Sequence, residues 1–177
     1  MLPVFFLLIF AILEFGLLLR THLTVNSVSS DGARAASVAG SSEEADFNVL
    51  NAVGRTIRSV GDDRIDHIVV FKATDPSSTL PAGCETASIV GVCNRYETAD
   101  LDAEMFDTAG NTTGTFGCEL ASIDRAWCPD DREDALSAGP DYVGVHIQVR
   151  HESATGLVGN DTVVDATKII RIEPDRI

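Results

Sequence analysis

The feature that most constrains this chain is an apolar run at its N-terminus, from Leu2 to Leu19, which only Glu14 interrupts. Eighteen residues in a helix extend about 27 Å, close to the roughly 30 Å hydrocarbon core of a bilayer. A buried helix of a soluble protein rarely lacks a polar face over this length. A cleaved signal sequence needs a basic start and a nearby small-residue site, but here the first such site ends at Ala39. The run therefore predicts one membrane-spanning helix.

The rest of the chain predicts an acidic domain outside the cytoplasm. The whole chain has 27 Asp and Glu against 13 Lys and Arg, a net charge of −14, and Glu14 is the one charged residue of the apolar run. This charge disfavours binding to nucleic acid and docking on anionic lipid through a basic patch. All four cysteines follow the apolar run, and cysteines in a small, Gly-rich domain are typical of disulfides in an oxidising compartment. We therefore expect a single-pass protein of the cell membrane, with a cytoplasmic N-terminus and an extracytoplasmic C-terminal domain.

Two helical patterns follow one another along the chain. The first helix is predicted to continue through residues 20–40, where small residues favour close packing against another helix. The second is predicted at residues 41–60, with Ser41 and Glu44 as a capping box and Gly61 as its C-terminal stop.

Three strands are predicted from β-branched and alternating residues, at 65–74, 142–151 and 163–173, with the last two paired as a hairpin. Together these elements indicate an α+β fold, in which a helix packs on a small antiparallel sheet. The predicted organisation is a transmembrane helix with its extracytoplasmic extension, residues 1–40, and an extracytoplasmic α+β domain, residues 41–177.

The cysteines lie in a long predicted loop region, residues 75–140. Eight, twenty-four and nine residues separate them in turn, whereas structural zinc sites begin with ligands two to four residues apart. The absence of Cys-x-x-Cys also disfavours a redox centre of the thioredoxin type. Three disulfide connectivities stay open; because short loops close at lower entropic cost, we favour Cys84–Cys93 and Cys118–Cys128.

No residue pattern in the chain predicts catalysis, a metal or a cofactor. The histidines show neither metal-ligand nor triad spacing, and the chain has no nucleophile elbow and no Gly-rich phosphate loop. His146 is expected on the polar, solvent-facing side of its strand, and His151 at the strand end, both as surface residues. We expect a protein that is not an enzyme.

Glu14 is the residue that fits its surroundings least. An ionisable group near the middle of a spanning helix costs at least about 2.5 kcal/mol on insertion scales, and such residues mark partners or pathways. Gly16 nearby would let another helix approach closely. Together, Glu14 and Gly16 predict a role for this part of the helix in packing or partner recognition.

Two short elements of the N-terminal region resemble the signature of TadE-like proteins, which are minor pseudopilins of bacterial tight-adherence (Flp-type) pilus systems. In that family a membrane helix ends in Glu-Phe-Gly or a similar element, and Gly-Ala-Arg-Ala-Ala follows about fifteen residues later. The matching residues are Glu14, Phe15 and Gly16, and then Gly32, Ala33, Arg34, Ala35 and Ala36. The resemblance implies that these residues serve assembly by helix packing.

The family commonly carries a basic leader with a Gly processing site before the Leu-Pro of the helix, whereas this sequence begins with Met1 at that point. Either the start codon is placed downstream of the natural one, or the protein is inserted unprocessed. We favour the first, because a span that starts at residue 2 lacks a basic cytoplasmic anchor.

The resemblance implies a minor pseudopilin or accessory subunit whose partners are other pilus or pseudopilin subunits and the assembly machinery in the membrane. Glu14 would then pair with a positive group of a neighbouring subunit. The alternative is a membrane-tethered module that binds a wall or surface ligand.

Overall fold

The apolar run and the segment after it form one continuous helix. The computed structural model describes residues 2–57, 64–100, 116–119, 121–137, 139–155 and 161–174. Helix α1 runs from Leu2 to Ala39, 38 residues, and the predicted continuation beyond the apolar run is confirmed. Gly40 ends it with a left-handed φ of +56°, and its N–H donates to the Ala36 carbonyl at 3.1 Å, as is common at helix C-termini.

Helix α2, Ala45–Ile57, begins later than predicted. The capping box is wrong, because the Ser41 hydroxyl donates to the Asp134 carboxylate at 2.5 Å and does not cap the helix. The Glu44 carbonyl instead accepts the first helical hydrogen bond, from the Asn48 N–H at 2.9 Å. The residues just after Gly40 form a turn, which delays the start. The predicted stop at Gly61 lies outside the described residues.

The domain contains an antiparallel sheet of four strands. They are β1 (Ile65–Ala73), β2 (Cys93–Glu97), β3 (Tyr142–Glu152) and β4 (Asp161–Arg171), in the order β2-β1-β3-β4. The three predicted strands are confirmed, as is the pairing of β3 with β4. Strand β2 was missed, because it is five residues long and lies within a segment that reads as loop.

One face of the sheet packs against both helices and forms the main core. Gly32 of α1 lies so close to the sheet and α2 that a Cβ there would be 2.9 Å from Val53 Cγ2 and 3.2 Å from Val145 Cγ1. Helix α1 therefore shares a core with the residues after position 40. The division of the chain into residues 1–40 and residues 41–177 stays a prediction. The core side chains from the helices are Val25, Val28, Ala33, Ala36, Phe47, Val49, Leu50, Val53 and Ile57.

The opposite face of the sheet is also covered, which corrects the prediction for His146. A second apolar cluster there includes Phe71 and both cysteines of the Cys84–Cys93 disulfide. His146 is only 4% exposed and His67 only 3%, with their ring centroids 5.8 Å apart. The alternation of β3 was interpreted correctly, but its polar side is covered at His146, whereas Arg150 on the same side is exposed.

The prediction that His151 is a surface residue is also wrong. His151 is 5% exposed, and its Nδ1 lies 3.0 Å from the Thr21 hydroxyl of α1. It is buried because the end of β3 lies against α1, a contact between segments 130 residues apart.

Candidate assembly site on the long helix

Glu14 lies in a clasp formed by the chain after β3. Its carboxylate accepts hydrogen bonds from the N–H groups of Ala154 and Thr155, both at 3.1 Å, and from the Thr155 hydroxyl at 3.0 Å. The Ser153 side chain is a further donor. We call these four residues the Glu14 clasp. Glu14 is 1% exposed, and several donors to one carboxylate offset much of the cost of burying its charge.

The residues of the first predicted packing element, Glu14-Phe15-Gly16, face two different directions. Glu14 points toward the domain, whereas Phe15 is 66% exposed. A Cβ at Gly16 would meet no atom within 4 Å. Phe15 and Gly16 are thus the residues of this element that face away from their own chain.

The second predicted element mostly faces inward. Ala33 and Ala36 are fully buried in the core, and Gly32 contacts α2 and β3 as described above. Arg34 is exposed and Ala35 is half-buried. The small residues here let α1 approach its own domain closely, and their role between subunits stays a prediction.

The two glycines of α1 should respond oppositely to the same substitution. Gly32→Ala should lower the free energy of unfolding by about 1 kcal/mol, because overpacking a core costs roughly 1–3 kcal/mol and the gain in helix propensity returns about 1. Gly16→Ala should leave it unchanged or raise it slightly. Chemical denaturation of the full chain in detergent measures both, and equal effects would contradict the packing at Gly32.

The N-terminal part of α1 presents apolar side chains that its own domain leaves uncovered. By length and composition, α1 is the one helix among the described residues that could cross a membrane. A shallow groove of about 510 Å³ runs beside Gly16, with Leu19, Leu23 and Ser27 along it and the polar residues Arg20, Thr24 and Thr56 also lining it. The exposed side chains are Val4, Phe5, Phe6, Leu7, Leu8, Phe10, Ile12, Leu13, Phe15, Leu17 and Leu19.

Both predicted disulfides are confirmed, with Cα–Cα distances of 6.2 Å for Cys84–Cys93 and 5.4 Å for Cys118–Cys128. Each closes a short loop and holds a different part of the long segment. The first covers the outer face of the sheet, as noted above.

A buried polar cluster, which the sequence analysis missed, holds the second disulfide loop on α2. Asp46 accepts from the Arg132 guanidinium and the Tyr96 hydroxyl, both at 2.5 Å, and from Asn94 Nδ2 at 2.8 Å. The Arg132 guanidinium lies 4.3 Å from the centre of the Trp127 ring. Burial and then the Asp46 charge raise the pKa of Tyr96 well above its usual value, so the phenol stays protonated and donates. We call this the Asp46 cluster; its enclosure suits a structural role.

The comparisons with known proteins agree with the resemblance of the N-terminal region. A family model described as TadE-like protein matches residues 1–34, the stretch that contains both predicted elements up to Arg34. The match covers the apolar part of α1 and most of its continuation, and it indicates an involvement in tight-adherence pilus assembly. No curated protein and no solved structure matches the chain.

Proposed function

We propose that this protein is a membrane-anchored minor pseudopilin or accessory subunit of tight-adherence pilus assembly, which acts by helix packing and not by catalysis. The observation that carries the proposal is that the family match and the exposed apolar half of α1 occupy the same residues. The family match ends at residue 34, and within it lies the apolar half of α1. Its large apolar side chains are mostly exposed, while Glu14 and Leu18 contact the domain.

The proposed packing surface is the groove beside Gly16. Residues 16, 19, 23 and 27 share one face of a helix, since they recur at intervals of three and four. A glycine at its membrane end allows another helix to approach closely, which is a frequent device between membrane helices. The proposed partner is the apolar helix of another pilus or pseudopilin subunit.

The clasp changes what we propose for Glu14. A carboxylate already bound by donors of its own chain fixes the end of the sheet against α1, and in doing so it turns Phe15 and Gly16 outward. In this state Glu14 positions the packing surface and does not itself bind a neighbouring subunit. The proposed orientation, with the domain outside the cytoplasm, is supported by the two disulfides, which persist in oxidising compartments.

Enlarging the residue at position 16 should block assembly in proportion to its size. We expect Gly16→Ala to retain surface pili, Gly16→Val to reduce them, and Gly16→Leu to abolish them, because a larger side chain keeps the partner helix away. Electron microscopy and immunoblots of sheared major pilin measure the result in the native host. Protein level and disulfide state serve as controls for folding.

Normal piliation with Gly16→Leu would contradict the proposal. It would favour the alternative, a tethered module that binds a wall or surface ligand, for which any apolar anchor suffices. That alternative also predicts normal piliation when α1 residues 3–19 are replaced by an unrelated membrane helix.

A further inference from the structure

A cavity between α1 and the end of β3 lies beside the Glu14 clasp, on the side away from the apolar segment. It has a volume of about 300 Å³, and Arg20, Arg64 and His151 line it together with Leu17, Ser153 and one carboxylate residue, Glu152. Arg20 is the first charged residue after Glu14 and directly follows the apolar run. The cavity therefore lies where a membrane-spanning α1 leaves the hydrocarbon region, at the level of lipid headgroups.

The cavity concentrates positive groups in a protein whose net charge is −14. No ion pair joins the Arg20 side chain to any carboxylate in the described ranges. Arg64 has a long contact of 3.9 Å with Glu152, whose side chain is 69% exposed, and an exposed pair of this kind is weak. An anion in the cavity would replace Glu152 as the partner of Arg64, whereas the neighbouring Arg150 is already paired with Asp66 at 2.6 Å.

His151 supplies a buried donor to the same cavity. Its Nδ1 contacts the Thr21 hydroxyl, while its Nε2 is buried and has no hydrogen-bond partner among the residues that the structure describes. A buried polar atom without a partner is costly. For Nε2 to donate to an anion, it must carry the ring proton. Nδ1 then accepts from the Thr21 hydroxyl, which gives up its hydrogen bond to the Leu17 carbonyl at 3.2 Å.

An apolar stripe on α1 leads from the membrane segment to this cavity. Phe10, Leu13, Leu17 and Arg20 recur at intervals of three and four, so they lie along one helix face, and the three apolar side chains are each exposed. Phe10 and Arg20 are about 15 Å apart along the axis at 1.5 Å per residue, a length suited to an acyl chain. The stripe favours a lipid over a soluble anion, because only a lipid has an acyl chain that can pack against these apolar side chains.

We propose that this cavity binds the phosphate of a phospholipid headgroup, from the leaflet on the side of the folded domain, with its acyl chain along Phe10, Leu13 and Leu17. Guanidinium groups bind phosphate through paired, charge-assisted hydrogen bonds. The negative net charge disfavours a broad basic surface for membrane binding. A pocket with two arginines can bind one phosphate without such a surface. The inference depends on α1 lying in a membrane, and it does not depend on a role in pilus assembly.

Native mass spectrometry of the full chain in detergent, titrated with phosphatidylglycerol, tests the proposal. The wild type should retain one lipid, and the double variant Arg20→Gln/Arg64→Gln should bind it at least about tenfold more weakly, since hydrogen bonds to charged groups are lost. Arg34→Gln/Arg55→Gln is the matched control, because both arginines are exposed on the helices and far from the cavity. It should bind lipid as the wild type does.

Two results would overturn the proposal. One is equal lipid binding by the cavity variant and the wild type, or an equal loss in the control, which would show attraction to charge without a site. The other is displacement of the lipid by millimolar inorganic phosphate, which would show a site for a soluble anion. Thermal unfolding of each variant confirms that it is folded before binding is compared.

Discussion

Asp46→Ala should lower the free energy of unfolding by about 3–5 kcal/mol, because removing one partner of a buried ion pair leaves the other charge uncompensated. Asp46 and Arg132 are both fully buried, with their charged atoms 2.5 Å apart. The substitution also leaves the Tyr96 hydroxyl without the acceptor it has now. A loss of this size is a large part of the stability of a small domain.

The measurement is denaturant unfolding of the full chain in detergent, followed by the fluorescence of Trp127. This is the single tryptophan of the chain, and it contacts the Arg132 guanidinium, so its signal reports on the Asp46 cluster. Asp46→Asn keeps an acceptor oxygen and should cost less than Asp46→Ala. That second variant keeps the test decisive if the alanine variant does not fold.

Asp66→Ala is the matched control, since it also removes an Asp–Arg pair of short contact distance. Asp66 and Arg150 are 2.6 Å apart, but the Arg150 side chain is 60% exposed. Exposed pairs contribute about 0–1 kcal/mol. If the two alanine variants lost the same stability at pH 7.5, burial would not be what makes the Asp46 cluster important.

Acidification from pH 7 to pH 5.5 should destabilise the protein through His67 and His146. Burial lowers the pKa of both rings below the usual value. The positive charge of Arg95 adds to the effect at His67, and His67 adds to it at His146. Asp66, Glu85 and Asp165 act in the opposite direction, without reversing it.

The direction of the change in stability with pH follows from proton uptake. The unfolded chain binds protons at a histidine pKa of about 6.5, whereas the folded protein binds them only at lower pH. Stability is therefore full above about pH 7 and falls as the pH drops below about 6.5, with a limiting slope of about 1.4 kcal/mol per pH unit for each histidine. The decline continues down to the lowered pKa values of the folded state.

Unfolding free energies at pH 7.5, 6.5 and 5.5 measure this slope, in a range above the titration of ordinary carboxyl groups. The double variant His67→Gln/His146→Gln should flatten it, whatever its stability at pH 7.5. His22→Gln, at an exposed position of α1, should leave the slope as it is in the wild type. An unchanged slope in the double variant would assign the acid sensitivity to other groups.

The parts of the fold that were predictable are those that depend on nearby residues. A continuous apolar run identified the first part of α1, and the alternation of Val143, Val145 and Ile147 identified β3 with the correct inward face. The disulfides were predictable because each joins cysteines that are close in sequence. In these cases, the pattern and the contact that it predicts lie within one element or one short loop.

The parts that were missed depend on partners far away in sequence. Asn94 reads as a loop residue, but in β2 it is buried because Asp46, 48 residues away, accepts its hydrogen bond. The backbone donors to Glu14 lie 140 and 141 residues from it, and no local pattern connects them, so its position in the apolar run indicated a partner in another molecule. The sequence shows that a polar residue is out of place, but it does not show which distant group satisfies it.

The Glu14 clasp also couples the domain to the N-terminal half of α1. The chain holds α1 from Glu14, through the buried core, to Ser37, whose hydroxyl donates to the Arg171 carbonyl at 2.7 Å. That length is about 35 Å of helix at 1.5 Å per residue, so a change of 10° in helix tilt would displace the far end by about 6 Å. Membrane helices tilt in response to bilayer thickness. If α1 spans a membrane as proposed, the orientation of the domain therefore follows the tilt of the helix.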